Sequence, residues 1–343
     1  MREHCSRFDV SLRAQVSGDG CSASCECEQN PCAFSVGASV QIDSVISRLR
    51  GGSSLTLLAG TFGCGWSVWS ANGEDQRPIT IRGQGPSDTI VDCDHAVPVV
   101  ESVINGTRVR LQDIHFMNAR RSGVGGSVVR AEGGSQVEME NCRATNCSAD
   151  GDGGAVSVSS GSLVVRRSSF EENSAAERGG ALAVVDGTCI LTDSTFMNCV
   201  ATHGGGAYVA RVGALLEGCL FLFNRAQGKW GGGLFAELGS MVNVSSSIFK
   251  DNIAFHGGGL SVVEGCLLGL TAGVRLESNM GTWGGGFLAE KDSTVEVCDS
   301  CRLYTRVHIH PRAFIPISTL IYPYIFIRNP TARAGIGRGS DCG

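Results

Sequence analysis

The chain has 343 residues, 42% of them hydrophobic and 18% charged, which is enough apolar content for a substantial core and too much for a disordered polymer. Its formal charge of -5 lacks the basic footprint that phosphate neutralisation requires, which disfavours nucleic acid and anionic membranes as partners. The 48 glycines follow no Gly-X-Y register, so they serve tight turns between short strands and not a collagen helix.

Residues 1–36 read as a cysteine-rich lead-in or cap. The first ten residues are polar, with no apolar run behind a basic start, so no signal peptide is readable there. Cys21, Cys25, Cys27 and Cys32 are expected to form local disulfides, with metal binding as the rival reading. Sixteen cysteines without paired zinc-type CxxC sets point to an oxidising, extracellular or cell-surface setting. The sequons at Asn105, Asn146 and Asn243 agree with a secretory route as possible glycosylation sites.

In residues 39–49, Val40, Ile42, Val45, Ile46 and Leu49 recur at near-helical spacing, which predicts a short amphipathic helix capping the end of a sheet stack. Residues 55–62, 79–83 and 89–93 then read as strands ending in turns.

From there a glycine motif returns every 26 to 28 residues: Gly153-Gly154-Ala155, Gly179-Gly180-Ala181, Gly204-Gly205-Gly206-Ala207, Gly231-Gly232-Gly233-Leu234, Gly257-Gly258-Gly259-Leu260 and Gly284-Gly285-Gly286-Phe287, with a weaker copy at Gly125-Gly126-Ser127. A fixed period of this length marks a stacked repeat. Between the glycines stands a second signature: Phe170 with Asn173, Phe221 with Asn224, Phe249 with Asn252, and Leu276 with Asn279. Phe196 keeps the aromatic, but Cys199 replaces its asparagine, and the preceding coil has Ala144 and Cys147 at the two positions.

The strands at 55–62, 79–83 and 89–93 resemble the opening coils of right-handed parallel β-helix proteins of the pectin-lyase-like superfamily. The Gly-Gly-Ala and Phe-x-x-Asn pair resembles, more specifically, the polymorphic outer-membrane protein (Pmp-like) repeat. The resemblance covers roughly residues 39–301 and implies an all-β, right-handed single-stranded solenoid of eight or nine coils, with residues 37–302 as the β-helix. It also implies adhesion at a surface.

Each coil should hold three short strands and three turns, every strand pairing in parallel with its copy one coil away. Phe170, Phe196, Phe221, Phe249 and Leu276 should then stack as a core column, with small residues two places earlier (Ser168, Ser194, Cys219, Ser247) leaving room. The asparagines should bond turn amides and one another. The glycines supply turns and close backbone approach and are followed by strands, so they cradle no phosphate.

Enzymes on this fold cleave acidic polysaccharides with clustered carboxylates. Asp150, Asp152 and Glu177 fall near one another in phase, and Asp92 with Asp94 lies in an early coil, yet none has the partner that cleavage by two carboxylates requires, so polar turns account for them. No catalytic or metal-ligating set is expected, and calcium enters only with an enzyme reading. One ladder has functional promise: Glu177, His203, Trp230, His256 and Trp283 stand four residues before the last residue of successive glycine motifs. These rings either offer stacking faces and titratable donors to a carbohydrate or protein ligand, or merely cover the glycine turn.

Past residue 302 the register is lost. Residues 303–343 form a non-repeat tail: a cap, a disordered segment, or a sequence joined by a gene-model fault, the last favoured because the break falls inside a coil. Its apolar stretch, residues 314–327, is broken by Pro316 and Pro323 and is too short to span a membrane. The sequence is therefore expected to encode a non-catalytic extracellular or cell-surface binding and adhesion module without cofactor. The alternatives are a polysaccharide lyase or glycoside hydrolase on the same scaffold, and a fragment of a larger surface protein.

Overall fold

The structure, a computed structural model, describes residues 33–38, 43–46, 49, 51–66, 77–95, 98–100, 106–297, 302–303, 307–309 and 325–327. The chain winds as a parallel solenoid of about nine turns. The repeat dictates this winding. Each glycine motif ends in a strand, each Phe-x-x-Asn site ends another, and in-register pairing is the only way both can find partners one period later.

A coil contains four extended stretches and not three. In one coil they are Val156–Ser159, Ser162–Arg166, Ser169–Glu171 and Ser174–Ala175. We call the four faces that they build the first to fourth sheets, in that order. In two coils the first and second stretches fuse into single 11-residue strands, Leu182–Thr192 and Ala207–Glu217. These strands bend at Asp186 and Arg211, whose φ values of 56° and 53° are left-handed and whose side chains form an ion pair across the coils. The fourth stretch, two residues long, is beyond the reach of a period-2 pattern in the sequence.

The register is strict. Phe170 pairs with Phe196, Phe196 with Phe221, Phe221 with Phe249, and Phe249 with Leu276. The four phenylalanine rings stack inside with centroids 5.1, 4.7 and 4.6 Å apart and their planes nearly parallel. Ala144 continues the column, lying between Phe116 and Phe170. The asparagine column is equally ordered: Asn224 Nδ2 donates to Asn252 Oδ1 and to the Phe196 carbonyl, and Asn252 Nδ2 donates to Asn279 Oδ1 and to the Phe221 carbonyl. Cys199 takes part through its backbone, its N–H donating to Asn224 Oδ1.

The small residues ahead of each phenylalanine do more than leave room. Cys142 N–H donates to Ser168 Oγ, Ser168 N–H to Ser194 Oγ, and Cys219 N–H to Ser247 Oγ, so hydroxyls satisfy turn amides that no strand reaches.

The described cysteines divide between one disulfide and the core. Cys64–Cys93 is a bond between the opening coils, whereas Cys142, Cys147, Cys189, Cys199, Cys219 and Cys266 are free and buried. Burial pushes the thiols of Cys142, Cys147, Cys189 and Cys199 up to about 12, so they are inert core residues. The four lead-in cysteines lie outside the described residues.

At the N-terminal end, Ala33–Val36 already pairs with Ser54–Leu57, so coiling begins ahead of residue 37. Within the span expected to be helical, a helix is described over Asp43–Ile46, with Ile46 and Leu49 buried. At the other end, His308 and Ile309 pair with Leu288 and Ala289, and Ile325–Ile327 pairs with Val307–Ile309, so strand pairing continues beyond residue 302. No helix among the described residues is long and apolar enough to cross a membrane.

The asparagine column yields a test. Asn252→Ala strands the Asn224 N–H and the Phe221 carbonyl in the core, and stability should fall by about 1–3 kcal/mol for each group left without a partner. Lys250→Ala, on the exterior two residues away, should cost under about 0.5 kcal/mol. Urea unfolding of the two variants measures the difference.

Candidate functional site

The outward residues of the first sheet run through Ser157, Ala183, Tyr208, Phe235, Ser261 and Leu288 in register. An outward position in such a strand normally meets water. Here Ala183, Tyr208, Ala210, Phe235 and Val263 are nonetheless buried, in a second small core separate from the interior of the solenoid. What covers them is the chain just before each glycine motif.

Backbone bridges pair Arg178 with His203, Trp230 with His256, and His256 with Trp283. The structure therefore brings four of the five expected ladder residues together and replaces the fifth: Arg178, and not Glu177, occupies the position. The reason is register. Ala207 pairs with Leu182, so Gly206 stands where Ala181 does, and counting back from the last motif residue slips by one in the Gly-Gly-Ala coils. Glu177 is exposed next to the ladder.

The rings pack on one another. Trp230 lies 6.1 Å from Phe235 and nearly parallel to it, His203 is 5.8 Å from Phe235, and Trp230 meets His256 edge-on at 4.4 Å. His203 Nδ1 accepts the Lys229 and Trp230 backbone N–H groups, which leaves its proton on Nε2. Burial lowers the His203 pKa, partly countered by Glu237, so the ring is neutral at pH 7.

Beside this ladder lies a polar cluster drawn from four coils. Arg178 Nε and Nη2 donate to the two Asp152 oxygens at 3.0 and 2.8 Å, and Nη1 donates to Tyr208 Oη at 2.7 Å and Glu237 Oε1 at 3.3 Å. Tyr208 O–H donates to Glu237 Oε1 at 2.6 Å, and the guanidinium sits 4.5 Å above its ring. Burial raises the Tyr208 pKa, and the Glu237 carboxylate raises it further, so the phenol keeps its proton. Burial disfavours the Arg178 cation, but Asp152, Tyr208 and Glu237 outweigh it and hold it charged. The side chains of Arg178, Asp152 and Glu237 remain 34%, 19% and 18% exposed, so all three can be reached from solvent.

Asp152 thus has the partner carboxylate that its sequence neighbourhood lacks, Glu237, delivered by the winding. Arg178, Tyr208, Phe235 and Glu237 are absent from the sequence-based site. A signal for two of them exists: Tyr208 and Phe235 are the aromatics in an outward strand column that otherwise holds Arg130, Ser157, Ala183, Ser261 and Leu288.

The other acids serve turns. Asp92 Oδ1 accepts from Asp94 N–H and Asn118 Nδ2, and Asp150 Oδ2 accepts from Gly123 N–H. Asn146 Nδ2 donates to Asn118 Oδ1 at 2.8 Å, and Asn105 lies outside the described residues. Among the described residues no group of three or more His, Cys, Asp or Glu side chains could hold a metal ion.

Strict parallel coils, an asparagine column and an aromatic column define a parallel β-solenoid. The chain belongs to the family described as the right-handed beta helix region, whose model matches residues 102–279. No curated protein matches the chain in sequence. It is similar to the solved structures of an alginate lyase from Paenibacillus sp. (12% identity, covering 82% of this chain and 98% of that one, TM-score 0.31) and a pectate lyase (13%, 79% and 72%, TM-score 0.35). It is also similar to the A-module of a mannuronan C-5 epimerase from Azotobacter vinelandii (13%, 81% and 91%, TM-score 0.33). The expectation of a chain without catalytic function is corrected on this point: these structures, with the catalytic domain of an alpha-1,3-glucanase, are all named as enzymes.

The neutral His203 sets a pH dependence. Its folded-state pKa lies below the ordinary 6.5, and burial lowers His115 in the same way, so the unfolded chain binds protons first as pH falls. Stability should be full above about pH 7 and fall between about pH 6.5 and 5.5, where most unfolded-state histidine protonates. Thermal melts across that window should show the decline, and His203→Gln with His115→Gln should flatten it.

Proposed function

We propose that this chain is a polysaccharide-cleaving β-helix protein of the cell exterior, a lyase or a glycoside hydrolase, whose substrate lies along the outer face of the first sheet. The observation that carries this reading is the convergence of Asp152 and Glu237 on Arg178, within reach of solvent and beside the ring ladder.

Inverting hydrolysis and elimination each need a base, which takes a proton from water or from the sugar ring, and an acid, which gives a proton to the leaving sugar oxygen. Asp152 and Glu237 are the acceptors in reach. Arg178 supplies a fixed positive charge for an anionic sugar or a developing oxyanion. Trp230 and His203 give half-buried ring faces against which a sugar can stack. Tyr208 is a positioning residue: buried and protonated, it anchors Glu237 by its O–H.

The paired Gly-Gly and Phe-x-x-Asn columns support a finer kinship with polymorphic outer-membrane protein repeats. The Cys64–Cys93 bond supports an oxidising, extracellular location.

Incubation with polyuronates and neutral glucans, with and without calcium, separates the reactions: elimination yields unsaturated uronide, and hydrolysis yields reducing ends alone. Glu237→Gln and Asp152→Asn should each lower turnover by about 10²-fold or more while the β-type circular dichroism is unchanged. A chain inert on every polymer, or variants as active as the parent, would overturn the proposal.

A further inference from the structure

The exterior of the second sheet changes character along the solenoid. One outward column runs in register through Arg110, Glu138, Val164, Ile190, Leu215, Asn243 and Gly269. Its first residues are ion-paired, Arg110 Nε donating to Glu138 Oε2 at 2.8 Å. Val164, Ile190 and Leu215 are apolar, and Leu215 is 41% exposed. Met241, the next outward residue along the strand from Asn243, is 54% exposed. A run of apolar side chains facing water on a regular sheet calls for a covering group.

Asn243 stands at the end of that run. It begins Asn243-Val244-Ser245, an acceptor triplet for N-linked sugar, and its side chain points outward from the strand Met241–Ser245. The neighbouring position on the next coil is Gly269, whose missing side chain leaves the exposed Asn243 amide open space on that side. A Cβ on Gly269 would meet Asn243 Oδ1 at 2.6 Å, and no left-handed φ is involved there. Glycine inside a strand weakens it unless something must approach closely. At Asn146 the geometry is the opposite: its amide nitrogen is committed to Asn118 in a turn with φ 53°, and the triplet's central Cys147 is buried.

We propose that Asn243 is an N-glycan attachment site, and that the apolar faces of the first sugars lie over Leu215 and Met241. In the transfer, the Asn243 Nδ2–sugar C1 bond forms and the sugar–phosphate bond of a lipid-linked diphospho-oligosaccharide breaks. The nitrogen loses one proton, and the lipid diphosphate leaves. Passage through a compartment that glycosylates also accounts for the Cys64–Cys93 bond. The glycan shields the apolar column and leaves the outer face of the first sheet open.

The full chain behind a cleavable leader, translated in the presence of microsomes, tests attachment without requiring secretion. Peptide mapping should place a glycan on Asn243. The corresponding gel shift should be lost in Ser245→Ala, which keeps the asparagine, and retained in Asn146→Gln. Translocated chain with Asn243 unmodified overturns the site. Packing is read separately on secreted protein: enzymatic removal of the glycan under native conditions should raise binding of an apolar fluorescent dye, and Leu215→Ser with Met241→Ser should abolish that rise. Dye binding indifferent to deglycosylation overturns the shielding role.

Discussion

Parallel pairing at a rise of about 4.8 Å per coil is the constraint on which the rest of this molecule depends. Once a strand bonds to its own counterpart one period later, every side chain has the same position of the repeat above and below it. A residue type is then chosen for a column and not for a site. Phenylalanine succeeds because flat rings stack at close to the coil spacing, and the observed separations of 4.6 to 5.1 Å follow the backbone. Asparagine succeeds because one amide can donate upward and accept from below.

The same constraint explains the tolerated substitutions. Cys199 stands in the asparagine column and Cys142 and Cys219 in the serine column, yet the coils stay in register. Each keeps its backbone N–H bonded to the neighbouring coil's side-chain oxygen, so the sulfur fills volume while the oxygen of the next coil satisfies the amide. A cysteine-rich composition therefore coexists with six buried free thiols, because most of the sulfur in the described coils is used for packing.

Outside the solenoid, column logic is relaxed, and that is where chemistry gathers. The first sheet has Tyr208 and Phe235 on its outer surface, and the segments before the glycine turns fold over them. This second core fixes Arg178 between Asp152 and Glu237, residues separated by 85 positions in the chain but by few coils in space. An arrangement of two carboxylates, a guanidinium and a protonated phenol costs desolvation that an adjacent solvated surface would not demand. It stands beside the stacked rings on an outer sheet face, where solvent still reaches its charged groups.

The repeat period, the phase of glycine against phenylalanine and asparagine, and the alternation within strands are local quantities, so the solenoid and its aromatic and asparagine columns were legible in the residues alone. Column register was not. It depends on how a Gly-Gly-Ala coil aligns with a Gly-Gly-Gly-Ala coil, and backbone pairing settles that in favour of Arg178 over Glu177. The use of the cysteines was equally illegible, since a thiol in a core and a thiol in a disulfide have the same sequence. Only the tertiary structure could unite Asp152, Arg178, Tyr208 and Glu237, because winding converts separations of one or two periods into contact, and no pattern within a single coil records which outward residues will meet.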